Sequence, residues 1–120
     1  MSKAAYSVFV FGLYLGVLGI TLLVAPNFLL GMFALPGTAE VWVRVVGMLV
    51  LFLGFYYVLA ARAEMTVFFR WTMYPRVTVI LFFTAFVVSG FAQPPLILFG
   101  VADLLGVLWT GLALRSSRPT

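Results

Sequence analysis

Few side chains in this sequence can carry chemistry. It has three acids, Glu40, Glu64 and Asp103, against seven Lys and Arg, and neither histidine nor cysteine. That composition excludes thiol–disulfide exchange, a cysteine nucleophile and zinc, haem or copper sites of the usual kind. It also removes the side chain that most often moves protons near neutral pH. No catalytic residue, metal-ligand set or cofactor motif can be named.

The acid that invites a question is Asp103. It lies inside "LILFGVADLLGVLWTGLAL" (Leu96–Leu114), a stretch otherwise apolar enough to sit in lipid. At 1.5 Å per residue it is roughly 13 Å inward from Pro94. A charge near the bilayer centre costs about 2.5–3.5 kcal/mol on insertion scales, so the carboxylate must face other helices and find a partner, or be protonated. Its helix face carries Leu96, Gly100, Gly106, Val107 and Thr110, a small and polar stripe suited to close approach.

The expected partner is Arg44, one turn into "EVWVRVVG". Glu40, four residues earlier, is placed to brace it, and Gly47, Leu51 and Gly54 continue the same face. We therefore expect a buried Glu40–Arg44–Asp103 network, with Thr110 nearby, tying the second apolar segment to the fourth. Its role stays open between fixing helix register and forming a site for a proton, an anionic headgroup or a quinone-like carbonyl.

Arg76 follows Pro75, and proline favours the first turn of a helix. A helix starting there makes Arg76 an interfacial residue snorkelling to lipid phosphate, alongside Arg70, Trp71 and Trp42. A helix starting nearer Thr66 would instead carry Arg76 deeper, where it competes for Asp103. We take the first.

These residues must be positioned by helices. The 120-residue chain is 65% hydrophobic and 8% charged, with mean hydropathy +1.23. A soluble domain is about half apolar and about a quarter charged, so the solvent of this chain is largely lipid. The net charge of +4 sits mainly at helix ends, which suits topology and anionic headgroups and gives no basis for nucleic-acid binding. A span takes about 20 apolar residues. Four segments fit, 6–25, 41–61, 73–91 and 96–114, and predict one transmembrane domain over 1–120: an all-α four-helix bundle. The N-terminal run is too long for an ordinary signal peptide and is read as a retained first span.

Lys3, Arg62, Arg70, Arg115 and Arg118 fall on one side of the spans, which orients both termini to the cytoplasm. Between the first two spans, "PNFLLGMFALPGTAE" predicts a short interfacial element, since Phe28, Leu29, Leu30, Met32 and Phe33 have no reason to sit in water. Gly12-x-x-x-Gly16 fits packing within the bundle or pairing with a second copy. Trp42, Tyr56, Tyr57, Trp71, Tyr74 and Trp109 read as an interfacial aromatic belt, and the Phe-rich third span as lipid-facing and core packing.

Taken together, "YLGVLGITLLVAP", "WVRVVGMLVLFLGFYY" and "LILFGVADLLGVLWT" resemble the small four-span bacterial proteins of the DoxX/DoxD-like group, including its BphX-like relatives. The likeness rests on the Gly-rich first span, the Arg44-x-x-Gly47 start of the second and the four-helix layout. It implies a multi-pass protein of the bacterial cytoplasmic (inner) membrane, similar in some cases to subunits of quinone-linked sulfur oxidation complexes or to membrane partners of redox proteins. The lack of cysteine argues against a direct sulfur-redox role. The function expected is an accessory or scaffold subunit that binds a partner protein or lipid. The alternative is a binder or carrier of a quinone, a lipid or a proton-coupled solute, using Asp103 and Arg44. An enzyme ranks third, because Asp103 and Glu40 lack a positioned nucleophile.

Overall fold

The computed structural model describes residues 1–37 and 39–116, and within them the regular structure is helical. The helices are α1 (Lys3–Val24), α2 (Pro26–Met32), α3 (Val41–Arg62), α4 (Thr66–Val88) and α5 (Ile97–Ser116), the last entered through a single 3-10 turn, Pro94–Leu96. Of these, α1, α3, α4 and α5 are long and apolar enough to cross a membrane. Their outer faces present large apolar side chains such as Val17, Trp42, Phe55, Trp71 and Leu112, the arrangement expected where the surrounding solvent is hydrocarbon.

Local signals set the helix boundaries. The Ser2 hydroxyl accepts from the Ala5 N–H at 3.1 Å and caps α1. Pro26 ends α1 and opens α2 as its first residue. The C-termini of α2, α3 and α4 close in the same way, with a left-handed residue after the cap: Ala34 (φ 55°), Glu64 (φ 54°) and Gly90 (φ 82°). At α4 the Phe91 N–H reaches the Phe86 carbonyl and the Gly90 N–H reaches Val87, the paired bonds of a Schellman ending. Alanine and glutamate adopt this backbone at a cost of roughly 1–2 kcal/mol each. Glu64 is held there from outside: its carboxylate accepts from the Ser2 N–H at 2.6 Å and the Ser2 hydroxyl at 2.7 Å.

The third span begins at Thr66, not Met73, so "RAEMTVFFRWTMYPR" is mostly helix and the connection shrinks to Ala63–Met65. Pro75 lies inside α4. It withholds one backbone N–H from the Trp71 carbonyl, a loss that helices in lipid absorb. Between the first two spans, where a short element is expected, lies the helix α2, with Phe28 and Met32 turned outward. The Phe33 ring meets Phe99 at 4.5 Å between centroids. Arg118, one of the residues used to orient the spans, lies outside the described residues.

The bundle is two antiparallel hairpins, α1 with α3 and α4 with α5, joined mainly through α1 against α5. The first hairpin is held together by glycine. A Cβ on Gly54 would stand 2.7 Å from the Gly12 carbonyl oxygen, and one on Gly19 would stand 2.7 Å from that of Gly47. The glycine face of α1 is therefore used within the chain. At the end carrying Lys3, Arg62 and Arg115 the four long helices close around Ala5, Val8, Ala61 and Phe69. Towards α2 they part. The α3 helix makes only slight contact with α4 and at most marginal contact with α5.

Candidate functional site

The opening between the hairpins is a cavity of about 430 Å³. One wall comes from α1, and the other sides from α3, α4 and α5. Leu29, Leu30 and Leu35 close the end beneath α2. Apart from Arg76, Asp103 and the hydroxyls of Tyr14 and Tyr57, the wall is hydrocarbon. On α3 the lining residues Val43, Val46, Val50, Leu53 and Tyr57 follow helical spacing. That face is apolar and meets a space instead of a neighbouring helix.

Arg76 is the best-anchored group in the site and is only 3% exposed. One turn earlier on α4, Thr72 accepts from Arg76 Nη1 at 3.3 Å while donating its own proton to the Phe69 carbonyl at 2.8 Å. Across the interface, Thr110 of α5 accepts from Nη2 at 3.2 Å. Thr110 also lies 2.9 Å from the Ser7 hydroxyl. Because Ser7 spends its proton on the Ala4 carbonyl at 2.7 Å, Thr110 is the donor in that pair. The order is Arg76 to Thr110 to Ser7 to Ala4, with every hydroxyl proton used once.

The guanidinium carbon stands 4.4 Å from the Phe11 ring centroid and 5.9 Å from that of Tyr57, two cation–π contacts that offset its removal from water. Gly106 makes room for it, since a Cβ there would fall 2.9 Å from Nη2 and 2.8 Å from Phe11 Cδ2. Nε–H is buried and has no hydrogen-bond partner. The cation is thus held by neutral oxygens and aromatic faces.

Asp103 lies about 10 Å along α5 from Thr110, on the wall of the same cavity. Arg76, Tyr14 and Tyr57 line that cavity with it. Among the described residues it forms neither a hydrogen bond nor a direct ion pair. The other charge on that wall is the guanidinium of Arg76.

This corrects the expected network. Arg44 is exposed and donates from Nη1 to the carbonyls of Leu23, at 2.5 Å, and Val24, at 3.3 Å. It caps the C-terminus of α1 and does not meet Asp103. The reason is topological: α1 pairs with α3 and also packs on α5, so α1 stands between most of the helix bearing Arg44 and the helix bearing Asp103. Glu40 occupies the N-cap position of α3, outside the cavity wall. Thr110 is in a buried polar network, but with Arg76. Arg76 itself is not interfacial, because α4 starts ten residues before it. Arg70, Trp71 and Trp42 are exposed, and Tyr57, expected in the aromatic belt, is buried beside Arg76.

The sequence alone does not single out Ser7, Phe11, Tyr14 or Thr72. One signal was available: Thr72 and Arg76 stand four apart, and apolar residues flank Arg76 on both sides of Pro75. No protein-family model, curated protein or solved structure matches this chain.

Proposed function

We propose that this chain binds a small amphipathic molecule drawn from the lipid phase. The apolar body lies in the cavity, and the polar head lies at Asp103 and Arg76 with Tyr14 and Tyr57 beside them. The observation that carries this is a hydrocarbon-walled space of about 430 Å³ with two opposite charges on its wall. Its size is within the range of small-molecule sites, which are largely apolar with a few convergent polar groups. Charged groups on the wall of an otherwise apolar cleft suit a ligand with a polar head better than acyl chains alone, so we place the accessory-subunit role second. The thin contact between α3 and α4 offers a sideways route from the bilayer.

The same proposal sets the protein in a bacterial cytoplasmic membrane with both termini inside. Support comes from the resemblance to the DoxX/DoxD-like group and from Lys3, Arg62, Arg70 and Arg115, which cluster at one end of the bundle. Binding or carriage of the ligand needs no further machinery, and no reaction is assigned.

Native mass spectrometry of protein released from its own membrane tests the proposal. The wild type should retain a lipophilic adduct. A variant with the space filled by Val50→Phe and Val79→Phe should fold and lose it. Equal adducts on both proteins, or none on either, would contradict the proposal.

A further inference from the structure

We infer that the head selected by this site is a neutral hydroxyl, so that the ligand class is a long-chain alcohol or another hydroxyl-bearing amphiphile seated between Asp103 and Arg76. The inference rests on the binding role proposed above and names its ligand.

Three observations lead to it. Asp103 and Arg76 line one cavity with opposite charges and form no ion pair with each other. A group that accepts from one and donates to the other completes the pair, and a hydroxyl offers one donor and two acceptor positions in a single atom. The Asp103 carboxyl makes no hydrogen bond among the described residues, while the Arg76 guanidinium, with five N–H donors, places bonds on only Thr72 and Thr110. Acceptor and donor capacity therefore both remain for a ligand.

The charges also sum to zero. An anionic or cationic head would leave one charge uncompensated in a low-dielectric cavity, which is heavily disfavoured. The tail cannot discriminate, because moving hydrocarbon from lipid into a hydrocarbon-walled cavity gains little. Selection falls to the head.

A photoactivatable diazirine analogue of hexadecanol, applied to the wild-type protein in lipid nanodiscs, tests this. The label should map to cavity residues. Unlabelled hexadecanol should displace it at least about tenfold better than hexadecane, hexadecylammonium or hexadecanesulfonate, the factor expected for hydrogen bonds to charged groups. In Asp103→Asn only the charge of Arg76 remains, so the preference should move to the sulfonate. Displacement of the wild-type label by the ammonium, the sulfonate or the alkane as readily as by the alcohol overturns the inference. An unlabelled cavity in a protein that still carries its native adduct overturns the inference and leaves the binding role standing. Loss of both label and adduct removes both. The wild-type panel decides the matter even if the variant fails to fold.

Discussion

At the scale of single residues, Arg76 is held inside the bundle by the hydroxyls of Thr72 and Thr110 and by the faces of Phe11 and Tyr57, with Asp103 on the wall of the same cavity. An aspartate inside an apolar span calls for a partner or a proton, and the cation that shares its cavity is Arg76. The sequence points to Arg44 because it lies one turn into its span, while Pro75 makes Arg76 read as a first-turn residue. Nothing local separates a proline that opens a helix from one tolerated within it, and the difference moves Arg76 by more than two turns. The hydroxyl order from Arg76 through Thr110 to Ser7 joins three helices, so it could not be read before their packing was known. The consequence is measurable. Removing one of two opposite charges on a largely apolar wall leaves the other uncompensated and should cost up to about 3 kcal/mol. Arg76→Met and Asp103→Leu should each lower thermal stability in detergent, and the double variant should lose less than the sum of the two. Arg44→Gln removes only an exposed cap on α1 and should cost about 1 kcal/mol. Additive losses from Arg76 and Asp103, or a larger loss from Arg44, would count against the assignment of partners.

At the scale of elements, the four spans were legible because hydropathy over about 20 residues is a strong signal. Their ends were less so. The turns after α2 and α3 use Ala34 and Glu64 where glycine is usual, which hides them from a sequence reading. Glu64 gives a pH test. The Ser2 hydroxyl first, then the Ser2 N–H and the N-terminal charge, hold its carboxyl below the usual carboxylate range. A depressed folded-state pKa stabilises above the unfolded value and is lost as pH falls through the folded one. The stability gap between wild type and Glu64→Gln should therefore be constant near neutrality and close below about pH 4. A gap that persists in acid would show that the clip is not ionic. Glycine contacts give a second test. Gly54→Ala drives a methyl into the α1 backbone near Gly12 and Gly16 and should cost about 1–3 kcal/mol. Gly16→Ala meets nothing within 4 Å and should be neutral in a melting experiment. Equal melting temperatures for the two variants would contradict the close packing of α1 on α3.

At the scale of the whole molecule, the gain over the sequence is the division of the bundle into a closed half and an open half. Small residues at Ala5, Ala61 and Ala113 let the helices meet at one end. At the other, α2 and the splayed α3 leave room for the cavity. Periodicity alone cannot report this, since an apolar helix face looks the same whether it meets a helix, a lipid or a ligand. The most direct measurement is a crystal structure, grown from a lipidic mesophase, of protein carrying whatever it brings from its membrane. The account predicts continuous elongated density from beneath Leu29 and Leu30 into the cavity, with its polar end between Asp103 and Arg76. A bundle with α3 collapsed onto α5, Arg44 bonded to Asp103 and no density in that space would contradict it.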